Sequence, residues 1–194
     1  MLPKLIRTYP EVLVVRDMID EQTVKMLCDQ VHEKRMVITT MRAKEGVEAL
    51  LRVLLFKVPP AEFAAVVSGA LNVRLVRKLC DTCKEGYKPP SDVLRQLGLS
   101  AGRIEAFYRP PTAPAEPDKI CKDCKGIGYR GRTGIFELLV VDDQIREALA
   151  NTPKLEALRA AARKAKQRSL QEEGVLLVAR GITSLPELMR VLKQ

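Results

Sequence analysis

At 194 residues and 46% apolar, the chain can bury a core, is not disordered, and accommodates one domain or two small ones. Aromatic residues are only 4% and tryptophan is absent, so the core is aliphatic and a base-stacking surface for single-stranded nucleic acid is poorly supported. The formal charge of +9 suits a polyanion such as nucleotide phosphate, nucleic acid or an anionic leaflet, and suits a merely solvated basic surface equally well.

Residues 11 to 15 form a β-branched apolar run, the pattern of a strand buried on both faces of a parallel sheet. Asp17 and Asp20 follow its carboxyl end. From Asp20 to Lys34 the apolar residues Val24, Leu27, Cys28 and Val31 recur at helical spacing, with Asp20 as the cap. MVITT, residues 36 to 40, predicts a second buried strand. Strand, helix and strand in this order make a right-handed parallel crossover, and ligands of such sheets bind beyond the carboxyl ends of the strands. Asp17, Thr39, Thr40 and Arg42 therefore fall on one rim.

Two core helices are expected over 45 to 56 and about 61 to 71, separated by Pro59-Pro60, and then a strand over 73 to 79. Ser91 is expected to cap a short helix and Ser100 to begin another, while the proline-rich stretch 109 to 117 predicts a loop. Glycines at 126, 128, 131 and 134 permit tight turns before a strand over 133 to 141. Three helices, over 142 to 150, 154 to 166 and 185 to 192, close the chain, with Pro153, Gly174 and Gly181 as breaks.

The strongest motif is a repeated Cys-x2-Cys, at Cys80 and Cys83 and again at Cys121 and Cys124. Two residues between cysteines let one tight turn aim both sulfurs at a tetrahedral ion, and a second turn completes the shell, which points to zinc. Two disulfides or four buried thiols are the competing readings. No apolar run approaches the roughly 20 residues of a membrane span, and MLPKLIRTYPEVLVV lacks signal-peptide order, so a reducing cytoplasm, which favours zinc thiolates, is expected. A closed four-cysteine shell has no open position, so the metal would be a staple and the chemistry would lie elsewhere.

A carboxylate at a strand end, as at Asp17, is how nucleotide hydrolases hold magnesium or orient water, but it is also an ordinary cap or solvated residue. The phosphate-cradling pattern G-x-x-x-x-G-K-[ST] does not occur in the 194 residues. His32, the only histidine, reads as an exposed residue at a helix end, and Cys28 as packing. Arg130 and Arg132, flanking Gly131, suit a phosphate-facing loop or structural hydrogen bonds equally.

Read together, VRLVRKLC, CKDCKGIGYRGRTGIFELLVVDD and LRAAARKAKQRSLQEEGVLLVARGITSLPELMRVL resemble the carboxyl-terminal region of the type II secretion and type IV pilus assembly ATPases. PEVLVVRDMIDEQT resembles that family's Walker B segment, and KRMVITTMRAKEG its His box. The resemblance implies an α/β fold. Its parts would be a partial RecA-like parallel sheet over 1–79, a four-cysteine zinc subdomain over 80–137 and a C-terminal helical subdomain over 138–194.

It further implies a homo-hexameric motor that couples ATP hydrolysis to pilus or pseudopilus assembly. Such a motor acts through an inner-membrane platform protein, in the cytoplasm or peripheral to the inner membrane. Zinc is the implied cofactor, with ATP and magnesium in a full-length parent, and no nucleic acid is expected. The catalytic pattern departs from the family. Asp17 stands at the Walker B glutamate, Arg16 at its preceding glycine and Ile19 at an arginine, while Asp20 is kept. Arg35 and Arg42 stand at the two His-box histidines, and Thr40 is kept. Aspartate is one methylene shorter than glutamate, and arginine cannot accept a proton as histidine can. Without the phosphate-binding half, the isolated chain is expected to be a fragment without ATPase activity. Two other readings stay open: a non-catalytic zinc-stapled interaction module, since CKDCKGIGY fits the C-x-x-C-x-G-x-G unit of DnaJ-type chaperones, and a nucleic-acid zinc module supported by charge alone.

Overall fold

The computed structural model describes residues 2–18, 20–99, 105–111 and 120–193; Ile19, the helix start expected at Ser100 and the loop residues 112 to 117 lie outside them. The fold is α/β. It divides into two compact units, one formed by Met1–Asn72 with Leu138–Arg168, the other by Val73–Glu137 with Ser169–Gln194. This partition differs from the three consecutive segments expected from the sequence, because each unit draws on two stretches of chain.

The first unit opens with a short helix, α1 (Leu2–Ile6), followed by β1 (Val12–Val15), α2 (Glu21–His32) and β2 (Met36–Thr39). β1 and β2 pair in parallel, Val12 with Met36 through Val15 with Thr39, as the crossover pattern predicted. α2 starts where Asp20 accepts a hydrogen bond from the Thr23 backbone N–H at 2.6 Å. The strands are not buried on both faces. Leu13 points into the core, but alternation turns Val12 and Val14 of β1, and Met36 and Ile38 of β2, to an exposed face. A continuous apolar run is the pattern of two buried faces, yet only one face is covered among the described residues.

The core of this unit is helical. α3 (Gly46–Leu54), α4 (Pro60–Val66), α6 (Asp143–Asn151) and α7 (Leu155–Lys164) pack with α2 around Leu50, Phe63, Ile145, Leu149 and Leu158. Arg159 on α7 clamps Glu45 before α3 at 2.5 Å. α4 ends earlier than expected: Val67 is already extended, and Ser68 accepts the Val141 N–H at 2.9 Å. The residues beyond it therefore enter β3 (Gly69–Leu79) rather than continuing the helix.

The second unit holds β4 (Glu85–Tyr87) and β5 (Phe107–Arg109), an antiparallel pair, with α5 (Ser91–Gln96), α8 (Leu170–Ala179) and α9 (Leu185–Leu192). β3 pairs with β6 (Tyr129–Val140), and both strands run on from one unit into the other. Val76, Phe107, Ile135, Val178 and Leu188 centre its core. Ser91 is not the cap but the first helical residue; Pro90 holds the cap position, with no side-chain hydrogen bond. α8 was not expected. It begins with a capping box, Ser169 and Glu172 each bonding the other's backbone, and Gly174, read as a break, lies inside it. A Cβ at Gly174 would run into Leu188, so the glycine serves close helix packing.

Candidate metal centre and strand rim

The four cysteines converge from two hairpin-like turns. In the first, the N–H groups of Cys83 and Lys84 donate to the Cys80 carbonyl at 3.3 and 2.9 Å. In the second, Ile127 N–H donates to the Cys124 carbonyl at 3.1 Å, and Gly128 N–H donates to the Cys124 sulfur at 3.2 Å. Gly128 has φ of 74°, and a Cβ there would sit 2.5 Å from Pro110 Cβ, so only glycine fits. Its carbonyl accepts the Cys80 N–H at 3.0 Å, which ties the two turns. A second tie escaped the sequence reading: the Thr82 hydroxyl donates to Asp123, and Arg130 reaches the same carboxylate at 3.4 Å. Its visible signal was a hydroxyl inside the first Cys-x2-Cys, Thr82, and a carboxylate inside the second, Asp123.

All four Sγ atoms lie within 4.8 Å of one another, with Cys83 to Cys124 at 3.5 Å and Cys80 to Cys121 at 3.9 Å. A tetrahedral ion with ~2.3 Å bonds to sulfur sets its ligands ~3.8 Å apart, so the cluster has the size of a metal shell. No sulfur is disulfide-bonded. Burial and the neighbouring thiols push the Cys83 thiol up, a penalty on packed sulfur anions that a divalent cation offsets. Beside the cluster a cavity of about 300 Å³ is lined by Lys78, Asp81, Thr82, Arg130 and Gly131. Asp81 is held below the usual carboxylate range by its 2.6 Å hydrogen bond from Lys84. Arg130 and Arg132 are both exposed at the start of β6.

In the first unit, the parallel register sets Val15 beside Thr39, so Asp17 and Thr40 leave the sheet at the same, carboxyl, end. Arg42 follows in the segment toward α3. Asp17, Thr40 and Arg42 are exposed, and Asp17 has φ of 54°. Thr39 Oγ1 is buried without a hydrogen-bond partner among the described residues. Asp20 is occupied as the α2 cap, and the Thr23 N–H holds its carboxyl below the usual value. Arg35 is not on this rim. It precedes β2 at the amino end, bonds Gln30, pairs with Glu33 at 3.1 Å and stacks 5.3 Å from the Tyr9 ring centre. His32 is exposed, and burial pushes the Cys28 thiol up to about 11.

Residues 1–190 match the family described as Type II/IV secretion system protein. The type IV pilus assembly ATPase PilB of Thermus thermophilus is 33% identical over 188 residues, which cover 97% of this chain and 20% of that protein. The type II secretion system ATPase E of Vibrio cholerae is 31% identical over 193 residues, covering 100% of this chain and 37% of that protein. Among solved structures, the pilus retraction motor PilT with bound ADP matches 97% of this chain and 41% of its own, with a TM-score of 0.63 at 16% identity. The ATPase DotB of Yersinia pseudotuberculosis matches 98% of this chain and 39% of its own, with a TM-score of 0.61 at 12% identity. These two establish a shared fold alone. The chain spans between 20% and 37% of the length of the two sequence relatives.

Proposed function

Since the chain belongs to the type II/IV secretion system protein family, we propose that it is the carboxyl-terminal region of a secretion or pilus-assembly motor ATPase. The match over residues 1–190 carries the reading. Its relatives are named as pilus assembly and type II secretion ATPases, and its parallel β1–β2 pair brings Asp17 and Thr40 to one end. In this reading residues 1–79 contribute part of a RecA-like core, 80–137 the metal-stapled subdomain, and 138–194 helices that are divided between the two compact units. Cys80, Cys83, Cys121 and Cys124 hold zinc, which closes the two turns into one rigid corner and takes no part in phosphoryl transfer. ATP and magnesium bind the complete motor, a cytoplasmic hexamer working against an inner-membrane platform protein. Among the described residues no helix is long and apolar enough to cross a membrane.

The rim residues would act on nucleotide only together with a phosphate-binding loop, so the 194 residues alone are expected to turn over no ATP above a buffer control. Fused behind the amino-terminal region of PilB, the chain should hydrolyse ATP slowly. Asp17→Glu in that fusion should raise the rate on the order of 100-fold by restoring reach to the reacting centre. Equal rates with and without Asp17→Glu would remove Asp17 from the catalytic rim.

A further inference from the structure

In the four-cysteine cluster each partly exposed thiol is adjacent to a buried thiol of the opposite pair. Cys83 and Cys121 are partly exposed, whereas Cys80 and Cys124 are buried. Cys83 lies 3.5 Å from Cys124, and Cys121 lies 3.9 Å from Cys80, sulfur to sulfur. Cysteine oxidation starts at the sulfur an oxidant reaches and is completed by a second sulfur close enough to attack it. Here the two roles are divided between the pairs.

We propose that the cluster is a peroxide-responsive clasp, in which hydrogen peroxide converts its thiolates into the disulfides Cys83–Cys124 and Cys80–Cys121. These cross between the two turns and keep them joined as the metal leaves. The proposal rests on reading the cluster as a metal centre. At each exposed sulfur the peroxide O–O bond breaks, one oxygen forms a sulfenic acid and the other departs as hydroxide. The buried sulfur then attacks the sulfenic sulfur, an S–S bond forms and a second hydroxide leaves. Each pair of thiolates loses two electrons and each peroxide gains two. Two peroxides and four thiolates thus give two disulfides and four hydroxides, and the divalent cation is released.

Contacts that do not involve the metal favour this connectivity. The Thr82 to Asp123 hydrogen bond, the Arg130 to Asp123 ion pair and the Cys80 N–H to Gly128 carbonyl bond keep the turns together while sulfur chemistry proceeds. Cys28 is buried in the other unit and takes no part.

The test uses the whole chain loaded with zinc, titrated with hydrogen peroxide and quenched. Free thiols are counted after denaturation, released metal is read with a chromogenic chelator, and disulfides are mapped by peptide mass spectrometry. Free thiols are expected to fall from the five of the sequence to one, at Cys28. Peptides linking Cys83 to Cys124 and Cys80 to Cys121 should accumulate in step with metal release, and dithiothreitol should reverse both. Disulfides within each turn, sulfinic acid at Cys83 or Cys121, or thiols that survive peroxide would each overturn the clasp. A chain that refuses zinc would overturn the metal reading instead, and the connectivity mapped on that metal-free sample would still decide the clasp.

Discussion

Two guanidinium groups close over the carboxylate of Glu187, whose side chain is fully buried. Hydrogen bonds from Arg190, opposed by burial and joined by those from Arg77, hold its pKa at about 2 against an ordinary 4.5. A carboxylate depressed in the folded state contributes stability that is complete above its ordinary value and is lost as pH falls through the folded value. Glu187→Gln is therefore expected to lower the unfolding free energy by about 3 kcal/mol at neutral pH. Urea denaturation of both proteins across a pH series should show that gap shrinking below pH 4.5 and nearly gone at about 2. A gap independent of pH would mean that the charge of Glu187 is not what matters. Its role was not legible in the sequence, where it reads as one more acid in a first helical turn and its partner Arg77 lies 110 residues away. The four cysteines were legible because their spacing is local. Asp20 was legible for the same reason, since a cap and the N–H it accepts are three residues apart.

Helix α8 shows where periodicity stops informing. Its apolar residues Leu170, Val175, Leu176, Leu177 and Val178 surround the axis instead of forming one stripe, and Gly174 interrupts them, so no amphipathic pattern marks it. The readable sign was the S-x-x-E box at Ser169 and Glu172. Ser169→Ala should cost about 1 kcal/mol in thermal or urea unfolding. Gly174→Ala should also destabilise, by about 1–3 kcal/mol, because overpacking against Leu188 outweighs the better helix propensity of alanine. An increase in stability would show that Leu188 can move aside. β4 and β5, three residues each, were too short to carry a period-2 signal. The parallel β1–β2 pair was predicted correctly, since a strand, a helix and a strand in sequence leave few alternatives, but which face is covered depends on elements that the run itself does not encode.

At the scale of the whole molecule, a structural metal should stabilise the unit that contains it. Stripping the metal with a chelator is expected to speed amide exchange at 80–84 and 124–128 while α2 and α3 keep their protection. Uniform loss of protection would mean that the two units unfold as one. The alternating composition of the units was not legible, because nothing local in β3 or β6 marks the residue where a strand leaves one core and enters the other. The polypeptide changes unit after Asn72, after Glu137 and after Arg168, the first two changes falling within strands. Neither unit is therefore inherited as an uninterrupted stretch of gene. Recombination that exchanged one unit for a relative's would need three breakpoints, two of them inside hydrogen-bonded strands, so the pair is expected to descend together through gene duplications.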